Sequence, residues 1–105
     1  MRKEFVKEDL WIAEDRKLIK KAWRTDDREK YPQGIEFAYQ YLYYKNGEWM
    51  QVARIDNQFH EGKIGSHIHI LKRDRVIWEE TFLDEVEDKV KEIGERVIKN
   101  IIERI

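Results

Sequence analysis

The feature that most constrains the fold is the run IEFAYQYLYYKNGEWMQVARID, residues 35–56, in which two stretches of aromatic and β-branched side chains flank an Asn-Gly pair. Asn-Gly accepts the positive φ that both central positions of a type I′ turn demand, and the twist of that turn matches the twist of two antiparallel strands. The run is therefore a β-hairpin with Asn46 and Gly47 at its tip. Counting outward from Lys45 opposite Glu48 sets Tyr43 against Met50, Tyr41 against Val52, Tyr39 against Arg54 and Phe37 against Asp56. On that count these residues share one face, and Ala38, Gln40, Leu42, Tyr44, Trp49, Gln51, Ala53 and Ile55 share the other.

The segments on either side extend the sheet. SHIHILK alternates as a third strand and DRVIWEE reads as a fourth. Upstream, LWIAEDRKLIKKAW matches neither the helical nor the strand period well and reads as two short strands, a helix being the competing assignment. RTDDREKYPQG is polar, ends in Pro32 and Gly34, and is a loop. Downstream, Thr81 and Asp84 resemble a capping box, and Leu83, Val86, Val90, Ile93, Val97, Ile101 and Ile105 recur at helical spacing. The last twenty-odd residues thus form an amphipathic helix. Gly94 inside it costs about 1 kcal/mol of propensity relative to Ala, for which a close approach to the sheet compensates. The small Ala38 and Ala53 place that helix on the Ala38, Leu42, Ala53, Ile55 face. The expected fold is α+β: an antiparallel meander of four to six strands with a long C-terminal helix packed on one face, residues 1–105 forming a single domain.

Composition narrows the function classes. Hydrophobic and charged residues each make up 41% and the formal net charge is −1, so no global positive field advertises nucleic-acid binding. Dense Lys, Arg, Glu and Ile with a single Pro is the composition of many heat-adapted proteins. The absence of Cys excludes disulfides and thiolate metal sites. No apolar run reaches the roughly 18 residues of a membrane span and no secretion signal opens the chain, so a cytoplasmic protein without membrane contact is expected.

All three histidines fall in RIDNQFHEGKIGSHIHI, residues 54–70. Strand alternation puts His67 and His69 on one face, away from Ile68 and Ile70 and together with Arg54, Asp56 and the tyrosine row. Two imidazoles, a guanidinium and a carboxylate suit cleavage of RNA without a metal or other cofactor. One His takes the proton of the 2′-hydroxyl, the second protonates the leaving 5′-oxygen, Arg54 holds the phosphate and Asp56 orients an imidazole. Tyr39 and Tyr41 would stack on bases, with Lys63, Asn57 and His60 as further substrate contacts. Binding RNA at this net charge asks Lys20, Lys21, Arg24, Lys63, Lys72 and Arg73 to gather on one side. Other uses of the same residues stay open. His60, His67, His69 and Asp56 can hold a metal, and the chain can be a non-enzymatic interaction module whose aromatic face or helix binds a partner or a second copy as a homodimer.

The stretch from FAYQYLYYKNGEWMQVARIDNQFHEGKIGSHIHI through FLDEVEDKVKEI, about residues 35 to 95, resembles the TumE family of prokaryotic toxin–antitoxin toxins. The matching positions are Arg54, Asp56, Asn57, His67 and His69, while Ile55, Ser66 and Ile68 depart from the pattern. The resemblance implies a toxin acting on RNA, paired with an antitoxin that carries a helix-turn-helix domain.

Overall fold

The computed structural model describes residues 2–59, 62–71 and 75–103. Six strands run in chain order across one antiparallel sheet: β1 (Arg2–Ala13), β2 (Arg16–Thr25), β3 (Ile35–Lys45), β4 (Glu48–Asp56), β5 (His67–Ile70) and β6 (Arg75–Trp78). A C-terminal helix, α1 (Leu83–Val97), continues through a wider π segment at Ile98–Ile102. This is the α+β meander that the sequence predicts. Among the described residues no helix is long and apolar enough to cross a membrane.

The hairpin tip forms as its chemistry requires, with Asn46 at φ 53° and Gly47 at φ 79°. Pairing follows the counted register from Lys45–Glu48 to Tyr43–Met50, then changes: Leu42 faces Gln51 but Tyr41 faces Ala53. Val52 is the extra residue of a β-bulge, and beyond a bulge every side chain of the bulged strand changes face. Tyr39 therefore pairs with Ile55, whereas Arg54 and Asp56 pair with Gln40 and Ala38. The helix consequently covers the tyrosine face, correcting the expected Ala38–Leu42 placement. Phe37, Tyr39, Tyr41, Ala53, Ile55 and Ile68 meet Val86, Val90, Val97 and Ile98 in one core.

Gly94 allows that packing. A Cβ there would stand 2.1 Å from Cδ2 of the Tyr41 ring, so the helix backbone lies directly on the ring. Glu95 then accepts a hydrogen bond from the Tyr41 hydroxyl at 2.6 Å and another from Arg16 Nε at 2.7 Å. At the C-terminal end the π turn carries Ile98 and Ile102 into the core and leaves Ile101, expected on the apolar stripe, exposed. The other end is tied down by Ser66, whose hydroxyl accepts the Thr81 backbone N–H at 2.8 Å and donates to the Glu79 carbonyl. Thr81 is buried there and does not cap the helix; Glu85 receives the Phe82 N–H instead, at 3.4 Å.

The N-terminal segment is one long hairpin rather than two short strands. Its apolar residues occupy both faces: Leu10 pairs with Leu18 and Val6 with Ala22, beside or in the core, while Trp11 projects to solvent. Two register irregularities, between Glu4 and Val6 and between Trp11 and Ala13, further break the alternation.

Candidate functional site

Residues Ala38, Gln40, Arg54, Asp56, His67 and His69 lie on the sheet face away from the helix. β4 and β5 pair Arg54 with His69 and Asp56 with His67, so the four polar residues form a square across two strands. Asp56 is the corner that touches each of the other three, and it is 2% exposed. Its Oδ1 lies 2.9 Å from His67 Nε2 and accepts the backbone N–H of Gln58 at 3.0 Å. Its Oδ2 accepts a hydrogen bond from Arg54 Nε at 2.9 Å and lies 3.3 Å from His69 Nε2. A buried carboxylate is tolerable only with this many donors.

A second layer fixes the guanidinium. Arg54 Nη2 donates to Gln58 Oε1 at 2.7 Å, Gln58 Nε2 donates to Glu36 Oε2 at 2.7 Å, and Arg2 Nε meets Glu36 Oε1 at 3.1 Å. The chain Arg2–Glu36–Gln58–Arg54–Asp56 holds Arg54 in place from behind and leaves its side chain partly open to solvent.

The two histidines are not equivalent. His67 is 3% exposed, and Trp78 of β6 packs against it with ring centroids 4.5 Å apart. Its Nδ1 is buried and has no hydrogen-bond partner among the described residues. The side chain of His69 is 31% exposed, and its ring meets that of His67 edge-on at 4.8 Å. Burial holds the His69 pKa below the usual imidazole value, outweighing the upward pull of Asp56, while His67 and Arg54 add to the lowering. His69 is therefore a neutral imidazole at pH 7, able to take a proton.

The expected substrate contacts fare differently. Tyr39 and Tyr41 are 4% and 1% exposed beneath the helix, because the Val52 bulge turns them away from Arg54; they offer no stacking surface. Asn57 is committed to the fold: its Oδ1 accepts the Phe37 N–H at 2.7 Å and its Nδ2 donates to the Ile35 carbonyl at 2.8 Å, extending the β3–β4 ladder by side chain. Lys63 reaches the site's edge, with Nζ 5.3 Å from the Trp78 ring. His60, Lys72 and Arg73 lie outside the described residues. Lys20 turns to the helix side, 2.6 Å from Glu87, and so leaves the gathering of basic residues expected for RNA.

Sequence reasoning missed Trp78, Gln58 and Glu36. Trp78 was findable in principle, since it pairs with His67, but the register depends on the turn between β5 and β6. Trp78 also forms one wall of a cavity of about 860 Å³ at the end of the sheet, lined further by Tyr31, Phe37, Ile64 and Phe82. The cavity is mostly apolar and opens beside the imidazoles rather than around them. No protein family, curated protein or solved structure matches the chain.

Proposed function

We propose that the chain is a toxin-like endoribonuclease, the active member of a prokaryotic toxin–antitoxin pair, which cleaves RNA by metal-independent transesterification. The observation that carries this reading is the carboxylate of Asp56 joined on one open sheet face to Arg54 and to the reachable, neutral imidazole of His69. His69 takes the proton of a 2′-hydroxyl. The resulting alkoxide attacks the adjacent phosphorus, the P–O5′ bond breaks, and the 5′-oxygen leaves with a proton from solvent, giving a 2′,3′-cyclic phosphate and a 5′-hydroxyl. Arg54 holds the non-bridging oxygens and stabilises their charge in the transition state. Asp56 fixes the imidazole ring and stabilises its cation once formed.

His67 takes a different part from the second acid or base expected of it. Buried behind Asp56 and Trp78, it positions the carboxylate and does not touch substrate. With only one reachable imidazole, the reaction lacks one positioned proton donor, each of which is worth about 10²–10⁴-fold. A slow enzyme follows. Trp78, exposed at the mouth of the cavity, supplies the aromatic surface for a base in place of the tyrosines.

The test is a matched pair of oligonucleotides, one all-ribo and one carrying a single 2′-deoxy residue at the scissile position. Cleavage of the first to a cyclic phosphate, with no cut at the modified position of the second, is the expected result; equal cleavage of both would exclude attack by the 2′-hydroxyl. A second reading, a partner-binding module, draws on a separate cluster. Trp11 is exposed and meets Trp49 at 5.5 Å, and Tyr44 lies 5.1 Å from Trp49, at the hairpin end of the sheet.

A further inference from the structure

We propose that Asp56, His67 and His69 also form a binding site for one first-row divalent cation of the Zn²⁺ class. Their candidate ligand atoms all lie within 4.8 Å of one another. A cation of this class sits about 2.0–2.2 Å from nitrogen and oxygen ligands, so two ligands on one ion are separated by about 3–4 Å. His69 Nε2 already has that spacing from Asp56 Oδ2, at 3.3 Å, and His67 Nε2 lies 2.9 Å from the other oxygen of the same carboxylate, Oδ1. The remaining adjustment falls on His69, whose partly exposed side chain has room to turn.

The donor set selects the metal. Two imidazole nitrogens and one carboxylate oxygen suit Zn²⁺, Co²⁺ or Ni²⁺, whereas Mg²⁺ and Ca²⁺ prefer oxygen alone. Three protein ligands leave a position open towards solvent, where the exposed edge of His69 provides the way in. His67 contributes a second observation. Nε2 gives its proton to Asp56 Oδ1 in the cation-free fold, but because Nδ1 has no partner among the described residues, the ring can carry its proton there instead and turn the Nε2 lone pair to a cation that displaces that contact. Arg54 opposes binding, since its Nε occupies Asp56 Oδ2 and its charge repels a cation. An incoming ion takes that oxygen and leaves Arg54 on Gln58.

Occupancy has a consequence that rests on the nuclease reading. The ion consumes the imidazole lone pair and the carboxylate that the reaction uses, so the Zn²⁺-loaded protein is inactive and chelation restores it. Binding itself does not depend on that reading.

The experiment is calorimetric titration of the chelator-treated full chain with Zn²⁺, alongside visible absorption with Co²⁺ as the spectroscopic probe. One Zn²⁺ per chain is expected, with release of protons and a Co²⁺ d–d band of four- or five-coordinate intensity. His69→Ala weakens binding by about tenfold or more and removes the band. Arg54→Gln binds Zn²⁺ at least as tightly as wild type while losing RNA cleavage, so the two roles of the cluster move apart. Unchanged affinity in His69→Ala, or loss of binding in His60→Ala with His69→Ala unaffected, would place the ion elsewhere and overturn the proposal. Zn²⁺ binding without RNA cleavage in EDTA upholds the cation site and sinks the nuclease; cleavage in EDTA with no Zn²⁺ binding does the reverse.

Discussion

Replacing Gly94 by Ala is expected to destabilise the protein, although alanine is the better helix former. The added Cβ would meet Tyr41 Cδ2 at 2.1 Å, Cγ at 2.9 Å and Cε2 at 3.0 Å. Carbon atoms rest about 3.5–4.0 Å apart, so ring and helix must separate by about 1.5 Å. The ring has little freedom to move: it is fully buried, and its hydroxyl donates to Glu95, whose carboxylate is itself held by Arg16. Overpacking of this kind costs about 3 kcal/mol, and the gain in helix propensity returns about 1 kcal/mol. Gly94 is not at positive φ, so no backbone strain enters the balance. A net loss of about 2 kcal/mol lowers Tm by roughly 8–16 °C in a domain of this size. Thermal and urea unfolding followed by circular dichroism measure it. A Tm equal to or above wild type would mean that only propensity counts at Gly94 and that the helix does not rest on Tyr41. Combining the change with Tyr41→Ala should cost less than the sum of the two single changes, because the clash is then gone.

The two histidines should respond unequally to truncation. His67→Ala removes a buried ring packed on Trp78 and costs about 2–4 kcal/mol by urea denaturation, whereas His69→Ala stays within about 1 kcal/mol of wild type. Asn57→Ala leaves the Phe37 N–H and the Ile35 carbonyl without their partner, for a loss of about 2–3 kcal/mol read the same way. An NMR titration of His69 should give a midpoint below its ordinary value of 6.5. The unfolded chain then binds this proton at higher pH than the folded one, so His69 makes stability rise with pH between its folded pKa and 6.5 and level off above. Denaturation midpoints measured across that window check the sign.

Parts of this molecule were legible in the sequence for identifiable reasons. Asn46 and Gly47 mark their turn because few other residues accept two successive positive φ values. The grouping of Arg54, Asp56, His67 and His69 follows from strand alternation alone, and it survives the bulge because the β4–β5 pairing lies beyond it. Val52 itself carries no signal. No glycine or proline marks the bulge, and Val52 and Ala53 are two successive apolar, buried residues, so counting from the turn placed the tyrosines on the same face as Arg54. The burial of His67 depends on Trp78 reaching across from β6, a tertiary contact that local periodicity does not encode. In the N-terminal hairpin, apolar residues on both faces and two irregularities hide the period on which any strand assignment rests.

The central claim is that the Asp56-centred cluster cleaves RNA, and cleavage of a mixed single-stranded RNA in excess EDTA tests it most directly. Wild type, His69→Ala and Arg54→Gln are compared at matched folded fractions, verified by circular dichroism. The account predicts slow cleavage by wild type to cyclic-phosphate ends, lost in both folded variants. Intact RNA with wild type, or cleavage persisting undiminished in His69→Ala, would contradict it.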